Sequence, residues 1–204
     1  MKGALERRGG MVADLVYSVI ASLDGYVEDE HGRFDWAEPS DEVHAFVNEM
    51  QREFGTHLYG RRMYEVMSVW ETDPSFAEQS EVMRDFAETW QAADKVVYST
   101  TLAAPLTQRT RVERSFDPET VLELKAHAER DLLVGGAHLA AEAMRAGLVD
   151  ECRLFLAPVI VGRGKPVFAE DLRLDLELVD ERRFESGMVY LSYRTASPVP
   201  QPFV

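Results

Sequence analysis

The stretch LLVGGAHL, residues 132–139, joins a short apolar run to two glycines and then to a helical pattern. Short apolar runs bounded by glycine are typical of strands buried on both faces of a sheet. Beyond the glycines, Leu139, Ala143 and Met144 recur at helical spacing, and Gly147 follows as a stop signal. The stretch therefore predicts a strand that passes directly into a helix, the repeating unit of α/β folds.

The same alternation of strands and helices extends outward from this unit, from residue 12 to about residue 160. Apolar, β-rich runs predict further strands at 11–21, 56–59, 95–99, 109–114 and 153–161. Capping residues and apolar stripes predict helices from Ser40 to Phe54, from Gly60, over 76–93 and from Asp117. Alternating leucines at 172–178 and a partner run at 188–194 predict a C-terminal β-hairpin. This pattern predicts a mixed, mostly parallel sheet with helices on both faces.

The domain organisation follows from where this pattern begins and ends. Residues 11–196 contain no repeat, linker or break in composition, and we expect a single domain there. Residues 1–10 are predicted to be a disordered leader, with Met11 as an alternative start, and the proline-rich residues 197–204 a tail.

The charge balance narrows the choice of partners. The chain has 204 residues, with 22 Lys and Arg against 36 Asp and Glu, a net charge of −14. The average field therefore repels phosphate, which argues against a nucleic-acid or anionic-membrane partner.

No apolar stretch reaches the roughly 18 residues of a membrane span. The one cysteine, Cys152, excludes an intrachain disulfide, and we expect a cytoplasmic protein.

Several common catalytic sites are absent from the sequence. It has no nucleophile-elbow motif, no Walker loop and no zinc-protease helix motif. The five histidines never sit three or four residues apart, so no metal pair lies on one helix face. An enzyme with this sequence is expected to take its chemistry from a cofactor rather than from a metal or a covalent nucleophile.

Three strand ends carry groups that can hold phosphate. Gly60 and the Gly135-Gly136 pair each stand between a predicted strand and a helix, where free backbone N–H groups attract anions. Arg61 and Arg62 add positive charge after the first glycine, and the hydroxyls of 99–101 follow another strand. Each glycine by itself is more often a plain turn, but the combination in this order favours a bound dinucleotide with an extra phosphate.

These motifs resemble those of a known family. In chain order they are SLDGY (22–26), DW (35–36), GRRMYE (60–65), STTL (99–102), VGG (134–136), GLVDE (147–151) and a proline-to-phenylalanine segment (158–168). Together they resemble the reductase domain of the bifunctional riboflavin-biosynthesis deaminase-reductase, in the dihydrofolate-reductase-like superfamily. The resemblance covers residues 12–195, and stand-alone members without the deaminase half resemble the chain best.

The resemblance implies a three-layer α/β/α fold and bound NADPH. It places Gly60, Arg61 and Arg62 at the adenosine side of the cofactor and its phosphates. Ser99, Thr100 and Thr101 are implied to reach the ribose and 2′-phosphate. The pyrophosphate is implied to lie on the turn formed by Gly135, Gly136, Ala137, His138 and Leu139.

The resemblance places Asp24 and Trp36 on the nicotinamide and substrate side. Asp24 is either a plain turn residue before Gly25 or a carboxylate that anchors or protonates the substrate at a strand end. Trp36 is either part of the core or a wall over a flat ring. Its position in the polar loop 24–39 favours the wall.

The resulting hypothesis is an NADPH-dependent reductase of a small cyclic or heteroaromatic carbonyl or imine, either a riboflavin precursor or a pteridine-like compound. The alternatives are an NADP(H)-binding protein without turnover, and a structural dimer that has lost its cofactor. We expect a homodimer, partly from the resemblance. The apolar run 154–161 and the alternating edge 172–178 would also favour association with a second copy if they were left exposed to solvent.

Overall fold

The computed structural model describes residues 12–196, so the predicted leader, Met11 and the tail 197–204 lie outside the described residues. The strands of the main sheet are β1 (Leu15–Ser22), β3 (Phe54–Gly60), β4 (Asp94–Tyr98), β5 (Thr110–Glu113), β6 (Asp131–Gly135), β7 (Glu151–Ala157), β9 (Leu176–Arg183) and β10 (Val189–Thr195). Two short strands, β2 (Tyr26–Asp29) and β8 (Gly164–Pro166), pair separately. The helices are α1 (Asp41–Gln51), α2 (Arg61–Met67), α3 (Val69–Thr72), α4 (Pro74–Glu78), α5 (Glu81–Ala92), α6 (Pro118–His127) and α7 (Ala137–Arg145).

The main sheet has eight strands in the order β5-β4-β3-β6-β1-β7-β10-β9. The first six are parallel, β10 is antiparallel to β7, and β9 is antiparallel to β10. The predicted fold class, a mostly parallel mixed sheet with a C-terminal hairpin, is therefore confirmed.

Helices cover both faces of this sheet because the chain first runs from β1 outward to β5 and then returns to β6 and β7. Right-handed crossovers place α1 and α5 on one face and α6 and α7 on the other. One core packs Val121 of α6 and Leu139 of α7 on Leu58 and Tyr17. On the opposite face, α1 packs against β7 and β10, and α5 packs against β3 and β4. The three layers follow from these two cores.

The helical region before β4 differs from the prediction. The helix expected over 76–93 is two helices, α4 and α5, with Ser80 between them. The Ser80 hydroxyl accepts a hydrogen bond from the N–H of Met83 at 3.1 Å, so it caps a new helix instead of continuing the old one. Phe54, expected to complete the stripe of α1, instead begins β3 and is fully buried there.

Two further expectations are corrected near the C-terminus. Leu172 and Leu174 pack against the α7-side core outside any strand, and β9 begins only at Leu176. The predicted half-solvated strand is thus an edge strand whose residues are all exposed. The run 153–161 is indeed a central strand, but it ends at Ala157, before Pro158.

Candidate cofactor and substrate site

The parallel strands all end at one edge of the sheet, and the predicted site residues follow those ends. Asp24 follows β1, Gly60 ends β3, Ser99 follows β4 and Gly136 follows β6. From β1 the chain winds toward β3 and β4, and later it crosses to β7 on the other side. This reversal beside β1 is a topological switch point, the place where open α/β sheets bind ligands.

Arg61 and Thr101 meet at this edge. The Arg61 Nη1 atom donates to the Thr101 hydroxyl at 2.7 Å, and its Nε donates to Glu65 at 2.7 Å. The guanidinium is thereby held between α2 and the loop after β4 while remaining about half exposed. Beside it, a Cβ built on Gly60 would meet no atom within 4 Å. The packing of this chain alone therefore does not explain the glycine, and the open space fits a ligand.

Arg62 points to a different neighbour. Its Nη1 and Nη2 atoms pair with the two carboxylate oxygens of Glu28, on β2, at 3.2 and 3.1 Å. The structure therefore separates two adjacent arginines that the sequence could not tell apart. Arg61 joins the hydroxyls after β4, and Arg62 joins the small β2–β8 sheet.

The hydroxyls after β4 have different uses. Ser99 is buried, and its Oγ accepts hydrogen bonds from the N–H groups of Thr101 and Leu102 at 3.2 and 2.9 Å. Its hydroxyl thus shapes the turn, whereas the neighbouring Thr100 and Thr101 are exposed. Arg114 supports the same turn by donating to the carbonyls of Ser99 and Leu102 at 3.0 and 2.8 Å. No sequence motif pointed to Arg114, because its role depends on the parallel pairing of β5 with β4.

The glycine pair after β6 is needed for two different reasons. A Cβ on Gly135 would lie 2.5 Å from the ring of Tyr59, so packing against β3 excludes any side chain. Gly136 has φ +93°, a conformation that residues with a Cβ rarely adopt, and it is the N-cap of α7. The turn after β6 therefore packs closely against Tyr59 of β3. The N-terminus of α7 has no side-chain cap.

The first turn of α7 offers backbone rather than side chains. Ala137 and Leu139 are buried in the core, and only His138 is exposed. No side chain caps this helix, and the first N–H groups of any helix lack intrahelical partners. These N–H groups are the ones predicted to hold a pyrophosphate.

A buried polar chain lies under this turn. The Tyr59 hydroxyl contacts His57 Nδ1 at 3.0 Å and accepts a hydrogen bond from the indole of Trp90 at 3.1 Å. Burial, followed by the positive charges of Lys95 and Arg130, lowers the pKa of His57 to about 3. Burial also raises the pKa of Tyr59 well above its usual value. Both groups are thus neutral, and they fix the ring that Gly135 accommodates.

Asp24 lies exposed at the end of β1 and holds a neighbouring loop. Its carboxylate accepts hydrogen bonds from the N–H groups of Val161 and Gly162 at 3.2 and 2.8 Å. A side-chain hydrogen bond from Ser22, together with those two backbone bonds, holds the pKa of Asp24 below its usual value. An ionised carboxylate of this kind suits an anchor better than a proton source.

Trp36 stands in a short 3-10 turn, Asp35–Ala37, beside β1. It packs on the α1-side core, as Ile20, Phe46 and Val159 also do, and it is only partly buried. Its indole nitrogen is shielded from solvent and has no hydrogen-bond partner among the described residues. Trp36 is therefore a packing residue whose shielded indole N–H is left without an acceptor.

The structure brings together Arg61, Thr101, Gly60 and the Gly136 turn at adjacent strand ends. Arg62 instead pairs with Glu28 of the small β2–β8 sheet. Sequence reasoning missed the small β2–β8 sheet, including Glu28 and Lys165. The segment GRGK, residues 162–165, was the available signal. Within residues 12–196 no cluster of His, Cys, Asp and Glu could hold a metal ion, and no helix is long and apolar enough to cross a membrane.

Solved structures share this fold. A putative riboflavin biosynthesis protein from Shewanella sp. PV-4 superposes with a TM-score of 0.71 at 18% identity, over 91% of this chain and 99% of that one. Dihydrofolate reductase from Enterococcus faecalis, complexed with NADP(H), gives 0.63 at 14% identity, over 91% and 99%. A deaminase/reductase from Thermotoga maritima gives 0.61 at 18% identity, but this chain spans only 57% of it. At such identities the likeness shows the dihydrofolate-reductase-like fold alone.

Sequence comparisons go further. The uncharacterized protein YyaP of Bacillus subtilis (strain 168) is 30% identical over 183 residues, which cover 88% of this chain and 93% of that protein. The family model of the RibD C-terminal domain matches residues 13–190. Because this match spans most of the chain, the chain belongs to the RibD C-terminal domain family.

Proposed function

We propose that this chain is an NADPH-dependent reductase of a small cyclic or heteroaromatic carbonyl or imine. The observation that carries the proposal is the Arg61–Thr101 hydrogen bond of 2.7 Å beside the open space at Gly60. When bound, NADPH supplies the hydride. The residues of this chain bind the cofactor and orient it against the substrate.

Arg61 is the proposed partner of the 2′-phosphate. Two of the five N–H donors of a guanidinium are used by Glu65 and Thr101, so the group is oriented and the rest remain available. Charged hydrogen bonds of this kind suit phosphate. In a chain of net charge −14, a phosphate needs such a local cation because the average field repels it.

The strand order supports the proposed path of the cofactor. Gly60 pairs in register with Tyr98 on one side, and Tyr59 pairs with Gly135 on the other. The loop with Thr101, the Gly60 end and the Gly136 turn are therefore neighbours along the edge. Beyond them comes the end of β1, where Asp24 lies. A dinucleotide laid along this edge has its 2′-phosphate at Arg61, its pyrophosphate at α7 and its nicotinamide near Asp24.

The substrate side is proposed to lie between Asp24 and Trp36. The partly buried Trp36 ring supplies a flat surface, and its unpartnered indole N–H would donate to a carbonyl or ring nitrogen on the substrate only after the side chain turns, because that nitrogen is shielded from solvent. A riboflavin precursor or a pteridine-like ring provides both the flat surface and such acceptors. Most of the rate gain would then come from holding this ring against the hydride donor.

The test is a titration of NADPH and NADH, followed by tryptophan fluorescence, on the wild type and on Arg61→Ala. Loss of the guanidinium should weaken NADPH binding about tenfold or more, the scale of a charged hydrogen bond, and NADH binding much less. Arg52→Ala is the matched control, because Arg52 is also a half-exposed, ion-paired arginine but stands before β3, at the opposite end of that strand from Gly60, and it should not change the ratio of the two affinities. Equal losses for both nucleotides in Arg61→Ala would contradict the assignment.

A second candidate is an NADP(H)-binding protein without turnover. The contacts of Asp24 favour it, since both carboxylate oxygens already accept hydrogen bonds from the N–H groups of Val161 and Gly162. NADPH oxidation in the presence of a panel of cyclic carbonyl and pteridine-like compounds separates the two. Binding without oxidation of NADPH by any of them would favour the second candidate.

A further inference from the structure

An open depression of about 560 Å³ lies beside the small β2–β8 sheet. Its walls include Glu28 and Gly32 from the β2 side, Arg62 from α2, and Arg163 and Lys165 from the β8 side. Of the residues predicted to bind the cofactor, only Arg62 lines it. The depression is thus largely separate from the site at Arg61 and Thr101.

The depression holds more uncommitted cations than carboxylates. Within residues 12–196, Arg163 and Lys165 have no carboxylate within ion-pair distance, whereas Glu28 is held by Arg62. Two further carboxylates line the depression: Asp29 is held by Arg33 at 2.9 Å, and Glu30 lies 3.8 Å from the ring nitrogen of His31. In a chain of net charge −14, two unpaired cations beside one cavity mark a place where an anion is favoured.

The register of the small sheet gives Glu28 a second partner. Glu28 lies directly opposite Lys165 in the antiparallel pairing of β2 and β8. Residues opposite each other share a face, and their Cβ atoms are roughly 4.5–5.5 Å apart, within reach for a lysine and a glutamate. If Arg62 leaves Glu28, the carboxylate can therefore pair with Lys165 and is not left alone.

Arg62 itself is easy to release. Its side chain is 63% exposed, and exposed ion pairs stabilise a fold only weakly because water and salt screen them. Two guanidinium groups, from Arg62 and Arg163, would then face the same depression. Guanidinium groups bind phosphate oxygens through paired hydrogen bonds, which makes phosphate a suitable ligand.

We propose that this depression is a phosphate-binding site in which Arg62 exchanges Glu28 for the ligand and Glu28 moves to Lys165. Arg62 and Arg163 bind the phosphate group, and Glu28 competes with it. The phosphate belongs either to a free or small-molecule phosphate or to the bound nucleotide. The proposal does not depend on reductase activity.

The first experiment is calorimetric titration of the full-length protein with inorganic phosphate. Glu28→Gln should raise phosphate affinity about three- to tenfold by removing the competing carboxylate, and Arg163→Gln should lower it about as much. Glu30→Gln is the matched control for the first change, because Glu30 lines the same depression but does not contact Arg62. Arg173→Gln controls for the second as an exposed, unpaired arginine elsewhere.

A double-mutant cycle tests the exchange itself. If Lys165 acts by receiving Glu28, Lys165→Gln should lower phosphate affinity in the wild type and have little effect in Glu28→Gln. An equal loss in both backgrounds would overturn the exchange, because Lys165 would then contact the ligand directly. Binding that is absent, or that changes no more in Arg163→Gln than in Arg173→Gln, would overturn the site.

The source of the phosphate is distinguished by repeating the titration at saturating NADPH. Phosphate binding that persists assigns the site to a separate phosphate compound, and displacement assigns it to the nucleotide. Failure of this proposal leaves the Arg61 test untouched, since that test reads the ratio of NADPH to NADH affinity.

Discussion

Gly60 and Gly135 end neighbouring strands, yet their surroundings differ. Gly135 faces the fixed ring of Tyr59, whereas nothing lies within 4 Å of a Cβ on Gly60, whose φ of −73° suits any residue. At the scale of single residues, close packing requires a glycine at 135, whereas the space beside Gly60 is open to a ligand.

This contrast predicts opposite outcomes for two similar variants. Gly135→Ala should destabilise the protein by about 1–3 kcal/mol, the usual cost of overpacking, measured by urea unfolding. Gly60→Ala should leave stability within about 0.5 kcal/mol of the wild type and weaken NADPH binding. A stable Gly135→Ala protein would mean that the Tyr59 ring can move.

Asp24 is predicted to stabilise the loop after β7. Because its folded pKa is depressed, the carboxylate stabilises the fold at pH values above the unfolded pKa of about 3.9, and this contribution is lost as pH falls through the folded pKa. Asp24→Asn should therefore lower the melting temperature at pH 7, with a difference that shrinks below about pH 4.

Asp35→Asn is the control for this variant, because Asp35 is an exposed aspartate in the segment between β2 and α1 and its side chain has no partner among the described residues. A catalytic role for Asp24 stays a separate prediction. It requires a fall in turnover of about 10²–10⁴-fold with NADPH affinity unchanged. An unaltered melting temperature at pH 7 would argue against the loop contacts.

At the scale of elements, one serine divides a helical region. The periodicity of 76–93 suits a continuous helix, but Ser80 has extended backbone angles (φ −157°, ψ 166°) and caps α5. The spacing of apolar residues does not reveal this break, because Val82, Phe86 and Trp90 all lie within α5. The Ser80 cap therefore sets the residue at which α5 begins and separates α5 from α4.

Ser80→Ala should destabilise the protein by about 1 kcal/mol, because the N–H of Met83 loses its acceptor. Ser115→Ala is the control, since Ser115 is an exposed loop serine without a side-chain partner among the described residues. Urea unfolding of both variants checks this. Equal stabilities would show that water replaces the cap.

At the scale of the whole molecule, the homodimer stays a prediction, and part of its basis was wrong. The run 154–161 was expected to favour association if left uncovered, but residues 154–157 belong to β7, which lies inside the sheet between β1 and β10, and only the loop after β7 leaves Ile160 71% exposed. The edge strand on this side of the sheet is β9, where Leu176, Leu178 and Val179 are 39%, 48% and 48% exposed. An edge strand with exposed apolar side chains favours pairing with a second copy.

Light scattering at micromolar concentration should therefore give twice the 23.1 kDa of one chain. Leu178→Lys should shift the mass toward one chain, because a charge on the edge opposes pairing. Glu185→Lys is the control, as an exposed residue beyond the end of β9. A wild-type mass of 23.1 kDa would contradict the dimer.

The sequence by itself determined the fold class, since buried apolar runs that alternate with capped helices leave few arrangements other than a mostly parallel sheet. It also determined which strand ends carry glycines, arginines and hydroxyls, because these are local features of the chain. Its failures at Leu172 and β7 share a cause, because a packing site or the position of a strand within a sheet depends on neighbours that are distant in the chain. Ser80 differs, since it caps Met83 only three residues away, and the continuous apolar periodicity concealed that local signal.

Only the tertiary structure decided the partners of side chains. Arg61 and Arg62 are adjacent and chemically identical, yet one meets Thr101 and the other meets Glu28. That difference arises because successive helical residues point about 100° apart, toward separate parts of the fold. In the same way, the β2–β8 pairing joins residues 28 and 165, and no local pattern contains that contact.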